Sequence, residues 1–213
     1  MLLGHLLHCG QGLFGGAVPS VQTLQAEIER LWEAGFDPPG RQQLGGWLVG
    51  SQKWIGTSEA CVLLRGHSIR CNIISFRGGG TGGESSESAA AAMVERAIRH
   101  FRASPGPGGS ASSVPPLYLQ HDGHSRTVVG VQRRREPGGC KDFLLVLDPG
   151  LGEHGFADFA AAAARGRGWE RLVKRSLAPL LKKAEYELLV LEPSGGPLRP
   201  EEAQAARCIS IRL

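Results

Sequence analysis

The chain has no apolar run approaching the roughly 18 residues of a membrane-crossing helix, so no segment of that kind is expected. It has no C-x-x-C pair either. Its five cysteines, Cys9, Cys61, Cys71, Cys140 and Cys208, are odd in number and widely spaced. That pattern excludes a dense disulfide framework and fits reduced thiols in the cytoplasm or nucleus. The seven histidines and five cysteines form no compact zinc-ligand spacing, so no metal or other cofactor is expected. The net charge is only +4, and apart from Arg133, Arg134 and Arg135 the basic residues are dispersed, which argues against a nucleic-acid surface. Gly78-Gly79-Gly80 is not followed by Gly-Lys-Ser/Thr, so no phosphate loop is indicated. Neither Gly56-Thr57-Ser58-Glu59-Ala60 nor Gly123-His124-Ser125-Arg126-Thr127 completes the G-x-S-x-G of a serine hydrolase. No internal repeat is present.

What remains is an ordinary globular balance, 41% hydrophobic and 21% charged over 213 residues, enough for one domain spanning 1–213 with a sizeable core. Leu2, Leu3, Leu6 and Leu7 lack a basic segment before them and are interrupted by Gly4 and His5, so they read as a helix stripe rather than a signal peptide. A second helix is expected from Ser20 to about Gly35, with Val21, Leu24, Ile28 and Leu31 facing inward. The Asp37-Pro38-Pro39-Gly40 segment reads as a turn, and Gly56-Thr57-Ser58-Glu59 opens another helix that Gly66 ends. Residues 69–76 read as a strand. Residues 77–88 and 104–116 read as flexible surface loops bracketing an alanine-rich helix from Ala89 to Arg102. Strands are expected at 117–119, 127–131, 143–147 and 186–191, with a basic turn over 133–139. Helices are expected around 156–164 and 169–183, the latter broken by Pro179. A helical turn over 200–207 and an edge strand over 209–213 complete the pattern.

The segment from Tyr118 to Thr127 places polar side chains at the junction of two strands, where chemistry has room. The apolar run Phe143 to Leu147 ends in Asp148 and turns at Pro149-Gly150. Antiparallel pairing would bring Asp148 near His124. A carboxylate there would hold an imidazole in one tautomer, and the imidazole would deprotonate a thiol. Gln120 would donate its amide to a developing oxyanion. Such a thiol belongs at a helix N-terminus, where its pKa falls, and none of the five cysteines fills that place.

The segments Glu33-Ala34-Gly35-Phe36-Asp37-Pro38, Lys53-Trp54-Ile55-Gly56-Thr57-Ser58-Glu59, Tyr118 to Thr127 and Leu145-Val146-Leu147-Asp148-Pro149-Gly150 together resemble the zinc-finger-containing ubiquitin peptidase family. The Trp-Ile-Gly and Leu-Asp-Pro elements are shared with the related proteases for the ubiquitin-fold modifier, but the histidine in Gly123-His124-Ser125-Arg126 favours the ubiquitin branch. The resemblance implies an α/β papain-like fold with a central, largely antiparallel sheet flanked by helices. It implies a deubiquitinating thiol peptidase acting after the C-terminal glycine of ubiquitin or polyubiquitin, without a cofactor. His124 becomes the general base, Asp148 its orienting partner and Gln120 the oxyanion donor. The family's nucleophile sits in a Gly-Cys-Gly-Tyr/Trp-Arg-Asn element directly before a Met-Leu-Leu helix, which here is Met1-Leu2-Leu3. The nucleophilic cysteine is therefore absent, and a truncated gene model or internal start is the simplest expectation. Two alternatives accompany this reading: a non-catalytic ubiquitin-binding pseudoenzyme, and a protease for the ubiquitin-fold modifier.

Each assignment has a plainer counterpart. His124 with Asp148 is also what a buried hydrogen-bonded pair looks like. His121 competes for the role of base, but one alternation from Gln120 it reads as surface-facing. Asp122 reads as a turn residue and Glu59 as a helix-start acid. Trp54 would border the groove for a modifier's slender tail, or else anchor the core. The Arg133–Arg135 run reads as a solvated hairpin turn.

Overall fold

The computed structural model describes residues 1–78, 83–102, 114–176, 183, 185–192, 196–209 and 211–212. In chain order the helices are α1 (Leu2–His8), α2 (Val21–Glu33), α3 (Pro38–Gln43), α4 (Thr57–Gly66), α5 (Gly83–Arg102), α6 (Gly152–Ala164), α7 (Glu170–Val173) and α8 (Pro200–Ala205). The strands are β1 (Cys71–Arg77), β2 (Leu117–His121), β3 (His124–Glu136), β4 (Gly139–Leu147), β5 (Lys174–Ser176), β6 (Glu185–Leu191) and β7 (Ile211–Arg212). The chain divides into two compact units, Met1–Ser75 with Glu187–Leu213, and Phe76–Tyr186.

In the first unit, α1 buries Leu2, Leu3 and Leu6 of the stripe expected from the sequence, while Leu7 stays half-buried. The Ser20 hydroxyl accepts from the Thr23 N–H at 3.1 Å and starts α2, which buries Ile28, Leu31 and Trp32. Val21, expected to face inward, instead projects into solvent from the first turn. Gly35 stops the helix with φ of 89°, a conformation that costs glycine little. The segment at Asp37 is not a simple turn but the opening of α3, where Pro38 occupies a position whose N–H would be unpaired in any case. At the start of α4 the Gly56 N–H donates to Glu59 Oε2 at 2.7 Å, so Glu59 caps the helix as expected. Helices α2 and α4 pack together, and a Cβ on Gly66 would lie 2.4 Å from both Leu31 methyls, so the contact depends on glycine. Strand β1 lies between β6 and β7, and pairs with β7 in parallel, Ile73 opposite Ile211.

The second unit is built on an antiparallel ladder in the order β5-β4-β3-β2. The β2–β3 hairpin turns on Asp122-Gly123, with φ of 47° and 71°; positive φ at both positions gives a turn whose twist matches that of the strands. Helix α5 lies on β3 and buries Ala90, Met93, Val94, Ala97 and Ile98 at helical spacing. Leu117, Leu119, Val128 and Leu144 are fully buried on the strands, each contributing about 1.5–3 kcal/mol relative to exposure.

Three sequence expectations change here. Of residues 77–88, β1 runs through Arg77 and α5 already begins at Gly83, since serine and glutamate are tolerated in a first turn; 79–82 lie outside the described residues. Of the 104–116 loop, 103–113 likewise lie outside them. The basic run is not a turn. Arg133–Arg135 continue β3 opposite Cys140–Asp142, and Arg133 bonds Asp142 at 2.6 Å and Glu95 at 2.9 Å, cross-strand pairs that suit an exposed ribbon. The long helix over 169–183 is replaced by the short α7 and then β5, because Lys174–Ser176 pair with the otherwise open edge of β4. Residues 177–182, Pro179 included, fall outside the description. The α/β class with a largely antiparallel sheet and accompanying helices is as expected.

Candidate active site

The β2–β3 hairpin and the end of β4 bring the sequence-selected residues onto neighbouring strands. The two-residue turn fixes the register, with His121 opposite His124, Gln120 opposite Ser125 and Leu119 opposite Arg126. On the other side Thr127 pairs with Leu147, so Asp148 follows directly at the level of Arg126. Side-chain alternation then puts His121, His124 and Arg126 on one face. It sends Gln120 to the other, with Ser125, whose hydroxyl accepts from Tyr118 at 2.7 Å.

Asp148 has a defined set of donors. Its Oδ1 accepts the Gly150 N–H at 2.9 Å, capping the single helical turn Pro149–Leu151, and its Oδ2 accepts from Arg126 Nε at 2.6 Å. Partial burial works to raise its pKa, but the Gly150 amide and the Arg126 guanidinium, with Arg175 adding charge, hold the carboxyl below its usual range. It is therefore ionised at neutral pH.

Arg126 reaches in a second direction, placing Nη1 2.7 Å from His121 Nε2. His121 is not the surface residue that alternation from Gln120 suggested. It is only 8% exposed, because its face of the hairpin is the covered one, and its ring meets that of Tyr186 in a tilted, edge-type contact with centroids 5.8 Å apart. Burial first, then the charge of Arg126, lowers its pKa below the ordinary imidazole value. His124, at the mouth of the hairpin, is exposed. Asp122 in the turn pairs with Lys183 at 2.5 Å, and the Tyr186 hydroxyl accepts the Lys183 N–H. Sequence reasoning missed Arg126 and the Tyr186 contact. The signal for Arg126 was available: an Asp-Gly two-residue turn sets the register, and Arg126 stands two residues beyond His124 on the same face.

In the first unit, Trp54 is 71% exposed and so does not anchor the core. It stands in a segment clasped to α2. The Glu29 carboxylate accepts the Leu48 and Val49 N–H groups, and Gln25 donates to Ser51 O and accepts from Gly50 N–H. Lys53 donates to Leu44 O at 2.7 Å and Trp47 O at 3.0 Å while lying over the Trp47 ring. Trp47, Val49, Trp54 and Ile55 are left facing solvent. Of the cysteines, Cys61 and Cys71 are buried with their sulfurs 3.7 Å apart, and Cys9, Cys140 and Cys208 are exposed. The neighbouring Cys61 sulfur and then burial push the Cys71 thiol far up, which makes it a poor nucleophile. Among the described residues no cluster of His, Cys, Asp or Glu suits a metal ion.

The zinc finger-containing ubiquitin peptidase 1 of Mus musculus is 34% identical over 212 residues, covering 97% of this chain and 35% of that protein. The Homo sapiens protein of the same name is 33% identical over 213 residues, again 97% of this chain and 35% of the relative. The chain thus spans about a third of the length of the curated relatives it matches. A crystal structure of UfSP from C. elegans superposes with a TM-score of 0.48 at 18% identity, over 86% of this chain and 27% of that one, a likeness too slight to bear on the site. The model of Peptidase family C78 matches residues 2–189, which take in the hairpin and Asp148, and the chain belongs to that family.

Proposed function

We propose that this chain carries most of the catalytic domain of a thiol-dependent peptidase that hydrolyses isopeptide or peptide bonds after the C-terminal glycine of ubiquitin. The observation that carries the reading is the hairpin register within the family match, which lays the Gln120–Arg126 segment beside the ionised Asp148. In the reaction a thiolate attacks the scissile carbonyl carbon, His124 takes the thiol proton and returns it to the leaving amine, and Asp148 stabilises the imidazolium. Gln120 keeps its family-implied place as oxyanion donor on condition that Gln120→Ala lowers the rate; its register on the other face makes that test informative. Trp54 flanks the path of the modifier's tail.

None of the five cysteines takes the nucleophile's part in this reading, so the 213 residues alone bind ubiquitin without cutting it. The burial of Cys61 and Cys71 favours that outcome for the isolated chain. A ubiquitin bearing a C-terminal thiol-reactive group tests it: the chain forms no adduct, and the chain with Gly-Cys-Gly-Trp-Arg-Asn fused before Met1 does, unless His124 is replaced by alanine. An adduct on the unmodified chain would identify one of its own cysteines as the nucleophile and overturn the assignment. A parallel probe built on the ubiquitin-fold modifier separates the two branches, and preferential labelling by it would transfer the activity to that modifier.

A further inference from the structure

Two histidines flank the Asp122-Gly123 turn, and chemistry at the site needs one of them to gain and lose a proton. The geometry around Arg126 distinguishes them. A guanidinium carries N–H donors and no acceptor, and it stays charged throughout the accessible pH range. Its Nη1 stands 2.7 Å from His121 Nε2, so that nitrogen must be the acceptor and carry no proton. The neutral ring then has its proton on Nδ1, the atom that is buried without a hydrogen-bond partner among the described residues. Protonating Nε2 would set donor against donor and cation against cation at that distance. The other groups facing the ring do not offset this. Tyr186 meets it in a tilted, edge-type ring contact at 5.8 Å and brings no negative charge, and Lys183 and His124 repel a positive charge on it. Asp122 attracts one but is already paired with Lys183 at 2.5 Å. The same guanidinium holds Asp148 Oδ2 at 2.6 Å through Nε, and a fork that serves both partners fixes their relative positions.

We propose that Arg126 is a positioning residue of the site: it holds His121 as the Nδ1–H tautomer through Nη1 and fixes Asp148 through Nε, leaving the place of general base to His124. The proposal rests on the catalytic reading above for its purpose but not for its test. The lock leaves a buried donor unsatisfied among the described residues, and an imidazole without the guanidinium beside it would be free to turn or to change tautomer.

The test is long-range proton–nitrogen NMR of the 213-residue chain labelled with nitrogen-15 histidine, assigned with His121→Gln and His124→Gln, from about pH 5 to pH 8, where an ordinary histidine titrates. His121 is expected to show a protonated Nδ1 and a bare Nε2 at neutral pH, with its titration displaced below that of an ordinary histidine. In Arg126→Met its midpoint is expected to rise by about one unit or more and Nε2 to become protonated on the way down. A His121 that titrates near the usual value in the unmodified chain, or carries its neutral proton on Nε2, overturns the lock, and so does a spectrum unchanged by Arg126→Met. Should that variant not fold, the unmodified chain already decides the tautomer, and Arg126→Lys, which keeps the charge and loses the fork, replaces it. Because the spectra need neither thiol nor substrate, failure of the ubiquitin probe leaves the lock standing, and failure of the lock leaves the role of His124 to the probe.

Discussion

Gly66→Ala should destabilise the first unit even though alanine is the better helix former. Gly66 ends α4 where that helix crosses α2, and an added Cβ would stand 2.4 Å from Leu31 Cδ1, 2.4 Å from Cδ2 and 2.9 Å from Cγ. Carbon atoms in contact prefer about 3.5–4.0 Å. Rotating the Leu31 methyls cannot clear all three atoms, because Cγ does not move with χ2, and Leu31 is only 2% exposed, so it has nowhere to withdraw. Either the leucine leaves its rotamer or the helices separate, a cost of about 1–3 kcal/mol. The helix-propensity gain is at most about 1 kcal/mol and smaller at a last helical residue. The net loss is about 1–2 kcal/mol, equivalent to a fall in Tm of about 2–8 °C for a chain of this size. Thermal unfolding followed by circular dichroism measures it. Combining Leu31→Ala with Gly66→Ala removes the clash, so the double variant should lose less than the sum of the two singles. An unchanged or higher Tm for Gly66→Ala, or strict additivity, would refute the reasoning.

Three further outcomes are expected. Burial, reinforced by the charges of Asp37 and Glu187, raises the pKa of Glu59 against the opposing Gly56 amide; its stabilisation is therefore full below the ordinary carboxylate range of about 4.3 and is lost as pH rises through the folded value. Glu59→Gln escapes that loss, so its Tm relative to the parent should climb between about pH 4.5 and pH 7, and a flat or falling difference would contradict this. Trp54→Ala should weaken ubiquitin binding about tenfold or more, measured by calorimetry, with Tm unchanged because the ring is largely exposed; equal affinity would remove Trp54 from the surface that meets the modifier. A thiol-colorimetric count on the native chain should find three fast-reacting cysteines, Cys9, Cys140 and Cys208, and two that react only on unfolding, Cys61 and Cys71; five fast thiols would contradict the burial.

Interactions close in the chain were readable before any coordinates. The Ser20 cap, the Gly35 stop, the Glu59 return to Gly56 and the Asp122-Gly123 turn each depend on residues within about a helical turn of one another, where side-chain chemistry dictates backbone conformation almost alone. The apolar runs at β4 and β6 and the periodic alanines of α5 declared their elements for the same reason. The hairpin and the aspartate at the end of β4 were legible as a candidate site because both lie at strand ends in sequence. Errors gathered where distant partners decide. Lys174–Ser176 pattern as helix yet take up the free edge of β4, and Arg133–Arg135 look like a turn until Asp142 and Glu95 are seen opposite them.

The same division runs through the site. Residue types and spacing, together with the family resemblance, nominated His124, Asp148, Gln120 and Trp54. Which histidine is buried, which way Trp54 faces and what holds Asp148 were not contained in spacing, since exposure and pairing depend on the strands and helices laid over a residue from elsewhere. Arg126 joins Asp148, 22 residues further along, to His121, five residues back, and only the folded register of three strands puts those groups within reach of one guanidinium. Local chemistry selects the elements; long-range pairing, which no short window of residues encodes, selects the partners.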